Sequence, residues 1–359
     1  MIFTGQVEQY ILESNQYIEN IIKNRKEIFK DALEYFCNNK IEQMYLIGTG
    51  TSLHSHIAAK MMMEKLLKMP IYAEDAMMFN DFTNIYNKNS LMLASSHSGM
   101  STSTVNALKK AKKFGLKTIT STAVHDSEIT KHGDKIIYCE IGEEDAGPKT
   151  KGYLCAIVTD IVFALEVALK QRKITQKEED NYLERIIKTS NNIPNIVKAT
   201  KDWYKEHSAE LLKCRRLVVI GYDNNLATYM EGTLKLLESI RCSVTGYELE
   251  QFMHGIYHSI WKDDYMFYIG SRGKYYERML RMKKYFEERT EHNFIFTSDK
   301  LQDNGKNFIG NFIDDEDFSC LEYIVPFQVL TAVWSKDLGI NCNIPSDPDF
   351  HKKMGSYIF

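Results

Sequence analysis

The 359-residue sequence is 44% hydrophobic and 26% charged, with a formal net charge of −3. This composition is ordinary for a folded protein and excludes disordered, collagen-like and disulfide-scaffold chains. The small net charge also removes the main electrostatic argument for a protein that binds nucleic acid. At about 100–200 residues per domain, the length predicts two domains or two lobes of one fold.

Seven scattered cysteines form no CxxC pair. They therefore indicate neither a disulfide framework nor a zinc site, and they fit a reducing cytosol. The N-terminus lacks the basic and apolar regions of a signal peptide. No stretch approaches the roughly 20 apolar residues of a membrane span. We therefore expect a cytoplasmic protein that does not enter a membrane.

The first 40 residues are predicted to be helical, because isoleucine and aromatic residues recur there at helical spacing. Strands and helices then alternate over residues 41–175. The predicted strands are Met44–Ile47, Leu91–Ala94, Lys117–Thr120 and Lys135–Cys139, and the predicted helices are Leu53–Leu67, Val105–Phe114 and Tyr153–Leu169. This alternation predicts a parallel sheet built from βαβ units.

A polar helical connector follows over residues 176–213, and Pro194 is expected to separate two helices within it. The alternation then restarts over residues 214–340. It comprises helix Leu226–Ile240 and strands at Leu217–Ile220, Cys242–Val244, Met266–Ile269, Asn293–Phe296 and Leu321–Val325. The predicted fold is α/β, with two flavodoxin-like, doubly wound domains flanked by helices. Residues 341–359 are left as a tail without regular structure.

The two halves have the character of a divergent duplication. Leu46-Ile47-Gly48 and Val219-Ile220-Gly221 occupy matching places in them. The period of about 170 residues is far too long for a solenoid repeat.

Two loops rich in hydroxyl groups follow strands of the first half. Gly48–Ser52 reads Gly-Thr-Gly-Thr-Ser, and seven of the ten residues in Ser95–Thr104 are serine or threonine. Both loops would lie at the carboxyl edge of the sheet, where the N–H groups of helix starts favour an anion. Helix capping would explain one such loop, but two in the same place favour a phosphate site without lysine or arginine. The loops match neither GxGxxG nor GxxxxGKS, which argues against a dinucleotide fold and a P-loop hydrolase.

The second half places its polar residues on a helix. Glu231, Lys235 and Glu238 share one face of Met230–Ile240. A solvated helix face with one ion pair explains this spacing. His254 follows the helix and stands beside Gly255. It is either a structural histidine or a titrating group, and periodicity does not separate the two.

Together these motifs resemble the double sugar-isomerase (SIS) domain family, in particular the isomerase half of glucosamine-6-phosphate synthase and the fructosamine-6-phosphate deglycases. Gly48–His54 is similar to the family's GCGTSYHA, Ser96–Ser101 to SQSGET, and Glu231–Glu238 to EGALKLKE. His254 stands sixteen positions after Glu238, the separation that the family has between its catalytic glutamate and its ring-opening histidine.

The resemblance implies two SIS domains, a sugar phosphate substrate, and neither a metal nor a cofactor. Glu238 would move a proton between C1 and C2, with Glu231 and Lys235 beside it. His254 would open the sugar ring from across the interface of a homodimer. The residues implied to hold the phosphate and sugar are Gly50, Thr51, Ser52, Ser96, His97, Ser98 and Ser101.

The sequence also departs from the family. His97 and Met100 replace the glutamine and glutamate of SQSGET, and Ile256 stands where the family often has proline. The predicted sheet begins near residue 44, so we expect no glutaminase domain and hence not a complete synthase. Lys353 stands five residues after Pro348, like the synthase lysine that forms a Schiff base with the ketose. The basic, tyrosine-containing tails of the deglycases are at least as similar, and both likenesses imply that the tail closes the active site.

Three functions stay open at this level. The leading hypothesis is an enzyme that cleaves a fructosamine 6-phosphate to glucose 6-phosphate and an amine, or that isomerises and deaminates an aminohexose phosphate. An aldose–ketose phosphate isomerase shares every residue named above. A non-catalytic phosphosugar sensor is the third. In regulators such a domain accompanies a DNA-binding module, for which the first 40 residues are too short and too balanced in charge.

Overall fold

The computed structural model describes residues 5–301 and 305–358. It divides into two compact units, each assembled from separate stretches of chain. The hydroxyl unit, named for the loops it carries, contains Gln16–Glu144, Lys151–Ile187 and the chain from Ser346 onward. The carboxylate unit, which contains Glu231 and Glu238, is formed by Asp145–Thr150, Lys188–Pro345 and the chain up to Asn15.

The hydroxyl unit is built around a five-stranded parallel sheet. Its strands are β1 (Gln43–Gly48), β2 (Ile71–Asp75), β3 (Ser90–Ser95), β4 (Lys117–Thr122) and β5 (Lys135–Tyr138). They lie in the order β2-β1-β3-β4-β5, so the chain reverses direction across the sheet between β1 and β3. In such a fold, ligands bind at the carboxyl ends of the two strands that flank this switch point.

Helices cover both faces of this sheet. They are α2 (Lys30–Cys37), α3 (Thr51–Leu67), α4 (Ala76–Asp81), α5 (Thr102–Lys113) and α6 (Lys151–Lys170). Helices α1 (Gly5–Ile28) and α7 (Gln176–Asn191) each continue from one unit into the other. Every residue of β3 is buried, as expected for a central strand with helices on both sides.

Helix α6 corrects one expectation from the sequence. Over residues 5–301 and 305–358 it is the one helix long and apolar enough to cross a membrane, with a mean hydropathy of 1.9. The expectation that no stretch approaches such a span was therefore wrong. Because 89% of its most apolar window is buried inside the structure, α6 has the surroundings of a core helix.

The carboxylate unit repeats the same sheet. Its strands are β6 (Arg216–Gly221), β7 (Ser243–Glu248), β8 (Tyr265–Gly270), β9 (Asn293–Thr297) and β10 (Phe308–Ile309). All pairings are parallel, and the order β10-β9-β8-β6-β7 is the order of the first sheet read from the opposite edge. The predicted α/β fold with two doubly wound halves is confirmed.

Five helices accompany the second sheet. They are α8 (Ile193–Leu211), α9 (Leu226–Ile240), α10 (Leu249–Met253), α11 (Tyr276–Phe286) and α12 (Cys320–Asp337). Pro194 lies in the first turn of α8 and separates it from α7, as predicted. The predicted strand Leu321–Val325 is wrong, because it is the start of α12. That helix is buried along most of its length and continues through Pro326.

The last described residues belong to the hydroxyl unit. They form a short helix, α13 (Phe350–Met354), and then run antiparallel to the start of α5. The N–H of Ile358 donates to the carbonyl of Met100 over 2.9 Å, and the N–H of Thr102 donates to Ser356 over 3.1 Å. Ile358 also packs against the core on this side of the sheet. The tail therefore supports the second hydroxyl loop.

Candidate functional site

The first hydroxyl loop is a tight turn between β1 and α3. A side chain at Gly48 would place its Cβ 2.9 Å from the backbone of Ser52 and Leu53. Gly50 has a φ of 56°, which favours glycine, and it is the N-cap of α3 without a side chain to bond the helix start. The first turn of α3 therefore presents backbone N–H groups together with the hydroxyls of Thr51 and Ser52.

The second loop turns at Gly99, with a φ of 70°. A Cβ there would lie 2.0 Å from the Ser127 hydroxyl, so this turn requires glycine. Ser101 is the N-cap of α5, and its hydroxyl accepts hydrogen bonds from both the N–H and the hydroxyl of Thr104. Ordinary helix capping thus explains Ser101, whichever ligand this loop holds.

The two loops are neighbours. The hydroxyls of Thr49 and Ser103 are 3.4 Å apart, and a small pocket opens beside them. Its volume of about 20 Å³ is room for one or two waters. The lining residues are Thr51, Ser52, Ser55, Ser95, His97, Ser121, Thr122, Ala123, Cys139, Gly152 and Ala156.

Three of the predicted phosphate residues line this pocket: Thr51, Ser52 and His97. Gly50, Ser96, Ser98 and Ser101 lie in the same loops without lining it. Sequence reasoning missed Ser121 and Thr122 at the end of β4, although that strand lies next to β3 in the sheet. The serine and threonine that end β4 could have been recognised in the sequence, but only the strand order shows that they lie beside the hydroxyl loops.

A buried carboxylate, that of Glu144, lies close to the His97 ring. The Glu144 side chain is fully buried and accepts hydrogen bonds from the N–H groups of Lys151 and Gly152, at 2.9 and 3.0 Å. It therefore caps the start of α6. Its Oε2 is 4.0 Å from Nε2 of His97. Glu144 was not singled out from the sequence, because nothing local connects it with His97.

In the carboxylate unit, helix α9 carries a buried ionic group. Glu231 and Lys235 are 0% and 2% exposed, whereas the Glu238 side chain is 39% exposed. The Lys235 Nζ is 3.4 Å from Glu231 Oε1 and 2.8 Å from Glu238 Oε2. The alternative of a solvated helix face is therefore wrong for the first two residues.

Charge pairing keeps this lysine protonated. Burial acts to lower the pKa of Lys235, but the carboxylates of Glu231 and Glu238 outweigh it, and the net shift in pKa is upward. The ammonium therefore lies between one buried and one half-exposed carboxylate. In this arrangement the Glu238 carboxylate is oriented by Lys235 and stays accessible, as a general base must be.

His254 and Lys353 are both on the surface. The His254 side chain is 71% exposed, and its Nε2 is 3.2 Å from Glu250 Oε1. Lys353 belongs to the hydroxyl unit, and its Nζ is 3.0 Å from Asp347 Oδ2. Each group is beside a single carboxylate, and the roles implied for both by the family resemblance stay predictions.

No three His, Cys, Asp or Glu side chains are grouped as a metal ion would require, within residues 5–301 and 305–358. The candidate functional groups described above are hydroxyls, a histidine, ion-paired carboxylates and a lysine.

Known proteins match both the sequence and the fold. Residues 39–169 match the SIS domain family. The chain is 24% identical over 328 residues to the isomerizing glutamine–fructose-6-phosphate aminotransferase of Caldanaerobacter subterraneus, which covers 90% of this chain and 53% of that protein. It thus spans about half the length of the curated relatives it matches.

Two solved structures are similar over nearly all of the chain. A candidate phosphosugar isomerase from Clostridium difficile 630 is 28% identical, with a TM-score of 0.92 and 98% of each chain covered. A candidate sugar-binding protein from Salmonella typhimurium LT2 is also 28% identical, with a TM-score of 0.84, covering 91% of this chain and 99% of that one.

Proposed function

We propose that this chain, whose residues 39–169 are a SIS domain, is an enzyme that moves a proton between C1 and C2 of an amino or glycated hexose 6-phosphate. The observation that carries the proposal is the ionic group of α9, where a buried lysine pairs with a half-exposed glutamate. A carboxylate that is charged, oriented and reachable is what abstraction of a proton next to a carbonyl requires.

The substrate phosphate would bind at the mouth of the pocket of the hydroxyl unit, whose interior of about 20 Å³ is too small to hold it. Its donors would be the start of α3, the hydroxyls of Thr51 and Ser52, which line the pocket, and those of Ser96, Ser98 and Ser101 in the same two loops. A phosphate at a helix N-terminus gains from the unpaired N–H groups and from the helix dipole. Glycine at position 50 allows the backbone to approach the anion closely.

Glu238 would act as the base. On a fructosamine 6-phosphate it would take a proton from C1 to give an enolamine and return a proton to C2. The product is an imine at C1, and water then hydrolyses it to glucose 6-phosphate and the free amine. Lys235 would hold Glu238 in its charged form, and buried Glu231 would hold Lys235. General acid–base catalysis of this kind contributes about 10²–10⁴-fold in rate.

Two surface groups would complete the reaction. Exposed His254 would open the sugar ring of a substrate bound to the partner subunit of a homodimer, since its side chain is free to reach another chain. Lys353, once it has left Asp347 and lost its proton, would condense with the C2 carbonyl of the ketose with release of water, and water would hydrolyse this Schiff base again before the proton transfer. We place the enzyme in the cytoplasm, because all seven cysteines are free thiols.

An aldose–ketose phosphate isomerase is the second candidate. It is favoured by the likeness to the candidate phosphosugar isomerase from Clostridium difficile. The proton transfer is common to both reactions, so the two differ in the group on C1 or C2 that the enzyme accepts.

A panel of substrates tests the proposal. Release of glucose 6-phosphate would be followed by a coupled assay with the 6-phosphates of fructoselysine and fructose-asparagine, and with fructose 6-phosphate. Glucosamine 6-phosphate would be assayed for release of ammonia. We expect turnover of at least one glycated or amino sugar. Turnover of fructose 6-phosphate alone would select the second candidate. Tight binding of 6-phosphosugars with no turnover would instead identify a sensor.

A further inference from the structure

We propose that His97 binds the substrate phosphate as an imidazolium, so that affinity for 6-phosphosugars falls as the pH rises through the titration of this residue. The inference rests on the proposed function, which puts a phosphate at the mouth of the pocket beside the two hydroxyl loops. It adds a pH-dependent charge to a site whose other donors are neutral.

The pocket offers a phosphate no permanently charged side chain. A phosphate monoester carries a charge of about −1.5 to −2 at pH 7. Neither hydroxyl loop contains lysine or arginine. Of the eleven residues that line the pocket, His97 is the one whose side chain can become positively charged. A hydrogen bond from an ionised donor to a phosphate is about twice as strong as one between neutral groups.

The position of His97 is well defined. Its carbonyl accepts hydrogen bonds from the N–H of Ala123, at 3.2 Å, and from the hydroxyl of Thr122, at 3.3 Å. The ring lies against Gly152, where a Cβ would be 2.5 Å from the ring carbon Cε1. With its backbone held and its ring seated on a glycine, the side chain stays at the wall of the pocket.

Glu144 favours the protonated ring. Its carboxylate is 4.0 Å from the His97 Nε2, and it is itself fixed at the start of α6 by two backbone N–H groups. A negative charge at this distance stabilises an imidazolium. When a phosphate binds at the mouth of the pocket, the ring lies near two anions. Both anions then favour proton uptake, and binding should be accompanied by protonation of the ring.

The other titratable groups around the pocket are buried or have partners of their own. Burial raises the pKa of Cys139 to about 12, so its thiol stays neutral. The Lys151 Nζ donates to the carbonyl of Glu143 over 2.9 Å and lies over the ring of Tyr17. His56 is buried and bonded to Asp160 at 2.7 Å, one helical turn below the pocket residues Ser52 and Ala156. His97 is the histidine in direct contact with the pocket.

Calorimetry with two non-isomerising ligands tests the proposal. Sorbitol 6-phosphate and sorbitol 6-sulfate would be titrated into the protein from about pH 6 to about pH 8.5, the range in which histidine changes charge. The sulfate ester keeps one negative charge throughout, so its pH dependence reports on the protein alone. We expect both ligands to bind about 10-fold more weakly at the upper pH, the difference between a charged and a neutral hydrogen bond.

Variants assign the effect to its residue. His97→Gln retains a neutral donor and should bind both ligands with little pH dependence beyond the ionisation of the phosphate. Glu144→Gln should move the midpoint of the pH dependence to lower pH. A thermal melt would show that α6 is intact. His132→Gln is the matched control, since His132 also pairs with a glutamate, at 2.8 Å, and does not line the pocket. That variant should behave like the wild type.

The outcomes separate this inference from the function on which it rests. Equal pH dependence in wild type and His97→Gln would overturn the inference, and so would sulfate binding that does not change with pH in the wild type. Failure of both ligands to bind at any pH would instead contradict the proposed phosphosugar site.

Discussion

The two units share one strand order, but they differ in the turn that joins the first strand of the sheet to the helix after it. In the hydroxyl unit, β1 passes to α3 through a short glycine turn, and the helix start stays open beside a pocket. In the carboxylate unit, β6 passes to α9 through a longer turn, which includes a short 3₁₀ segment. The same scaffold therefore has a turn suited to an anion in one unit and a closed turn in the other.

Side chains in the turn of the carboxylate unit are buried and hydrogen-bonded within the protein. Asn225 is fully buried, donating to the Ser319 hydroxyl over 3.2 Å and accepting from the Thr228 hydroxyl over 2.7 Å. Tyr222 is 1% exposed and donates to the carbonyl of Ser271. The polar chemistry of this unit lies further along α9 instead. The proposed function thus assigns phosphate binding and proton transfer to different units that share one framework.

The largest expected effect comes from removing the base. Glu238→Gln keeps the shape of the side chain but cannot accept the substrate proton, so we expect kcat to fall by about 10²–10⁴-fold. Binding of sorbitol 6-phosphate should be nearly unchanged, because the phosphate residues lie in the other unit. Steady-state kinetics and calorimetry would measure the two effects.

Glu277 provides the control for this substitution. It is an exposed glutamate in the first turn of α11, and Glu277→Gln should leave kcat unchanged. Full activity of Glu238→Gln would refute the division of labour between the units.

The next effect concerns the open turn. Ser52→Ala removes one hydroxyl from the pocket and leaves the start of α3 in place. The loss of a hydrogen bond to a charged ligand predicts a Kd for sorbitol 6-phosphate that is about 10–100-fold higher. The melting temperature should hardly change. Unaltered affinity would mean that this pocket is not where the phosphate binds.

A substitution in the closed turn between β6 and α9 should lower stability and leave phosphosugar affinity unchanged. Asn225→Ala leaves the hydroxyls of Ser319 and Thr228 without their partner in a buried place, and we expect a loss of about 2–3 kcal/mol in the free energy of unfolding. Phosphosugar affinity of the folded protein should stay at the wild-type value. Urea unfolding combined with calorimetry would detect either departure from this pattern.

The last expected effect is the pH dependence of stability. Burial raises the pKa of Glu322 on α12 to about 7, against hydrogen bonds from Asn192 and from the backbone of Ile313. The folded protein thus retains a proton that the unfolded chain has already released above about pH 4.5. Stability should therefore fall as the pH rises from about 4.5 to about 7.

Glu322→Gln cannot titrate, and it should flatten this part of the curve by about 3 kcal/mol. Chemical denaturation across the pH range would measure it. An unchanged slope would assign the titration to another group of the carboxylate unit.

Much of the framework could be predicted from local pattern. The sequence pattern predicts helix Leu226–Ile240 with the ends that the structure has, because one face is apolar and a strand ending in glycine precedes it. The helical structure of Leu321–Val325 could not be predicted, because a short apolar run is equally typical of a buried strand and a buried helix. Its helix continues through a proline because tertiary packing outweighs the local penalty.

The candidate site, too, could be predicted only in part. The motifs identified Thr51, Ser52 and His97, which line one pocket, because each loop follows its strand directly. The burial of Glu231 and Lys235 could not be predicted, since an i, i+4 ion pair has the same spacing in solvent as beneath another helix. Glu144 reaches His97 only through the fold.

The tail that supports the second hydroxyl loop has a consequence for the order in which the protein is made. The Thr102 hydroxyl donates to the carbonyl of Gly355, a partner 253 residues later in the chain. At about 5–20 residues per second, a ribosome needs about 10–50 s to cover that distance. Throughout this time the loop lacks its backbone partner. The nascent chain should therefore complete the second hydroxyl loop only after all of the carboxylate unit has been translated.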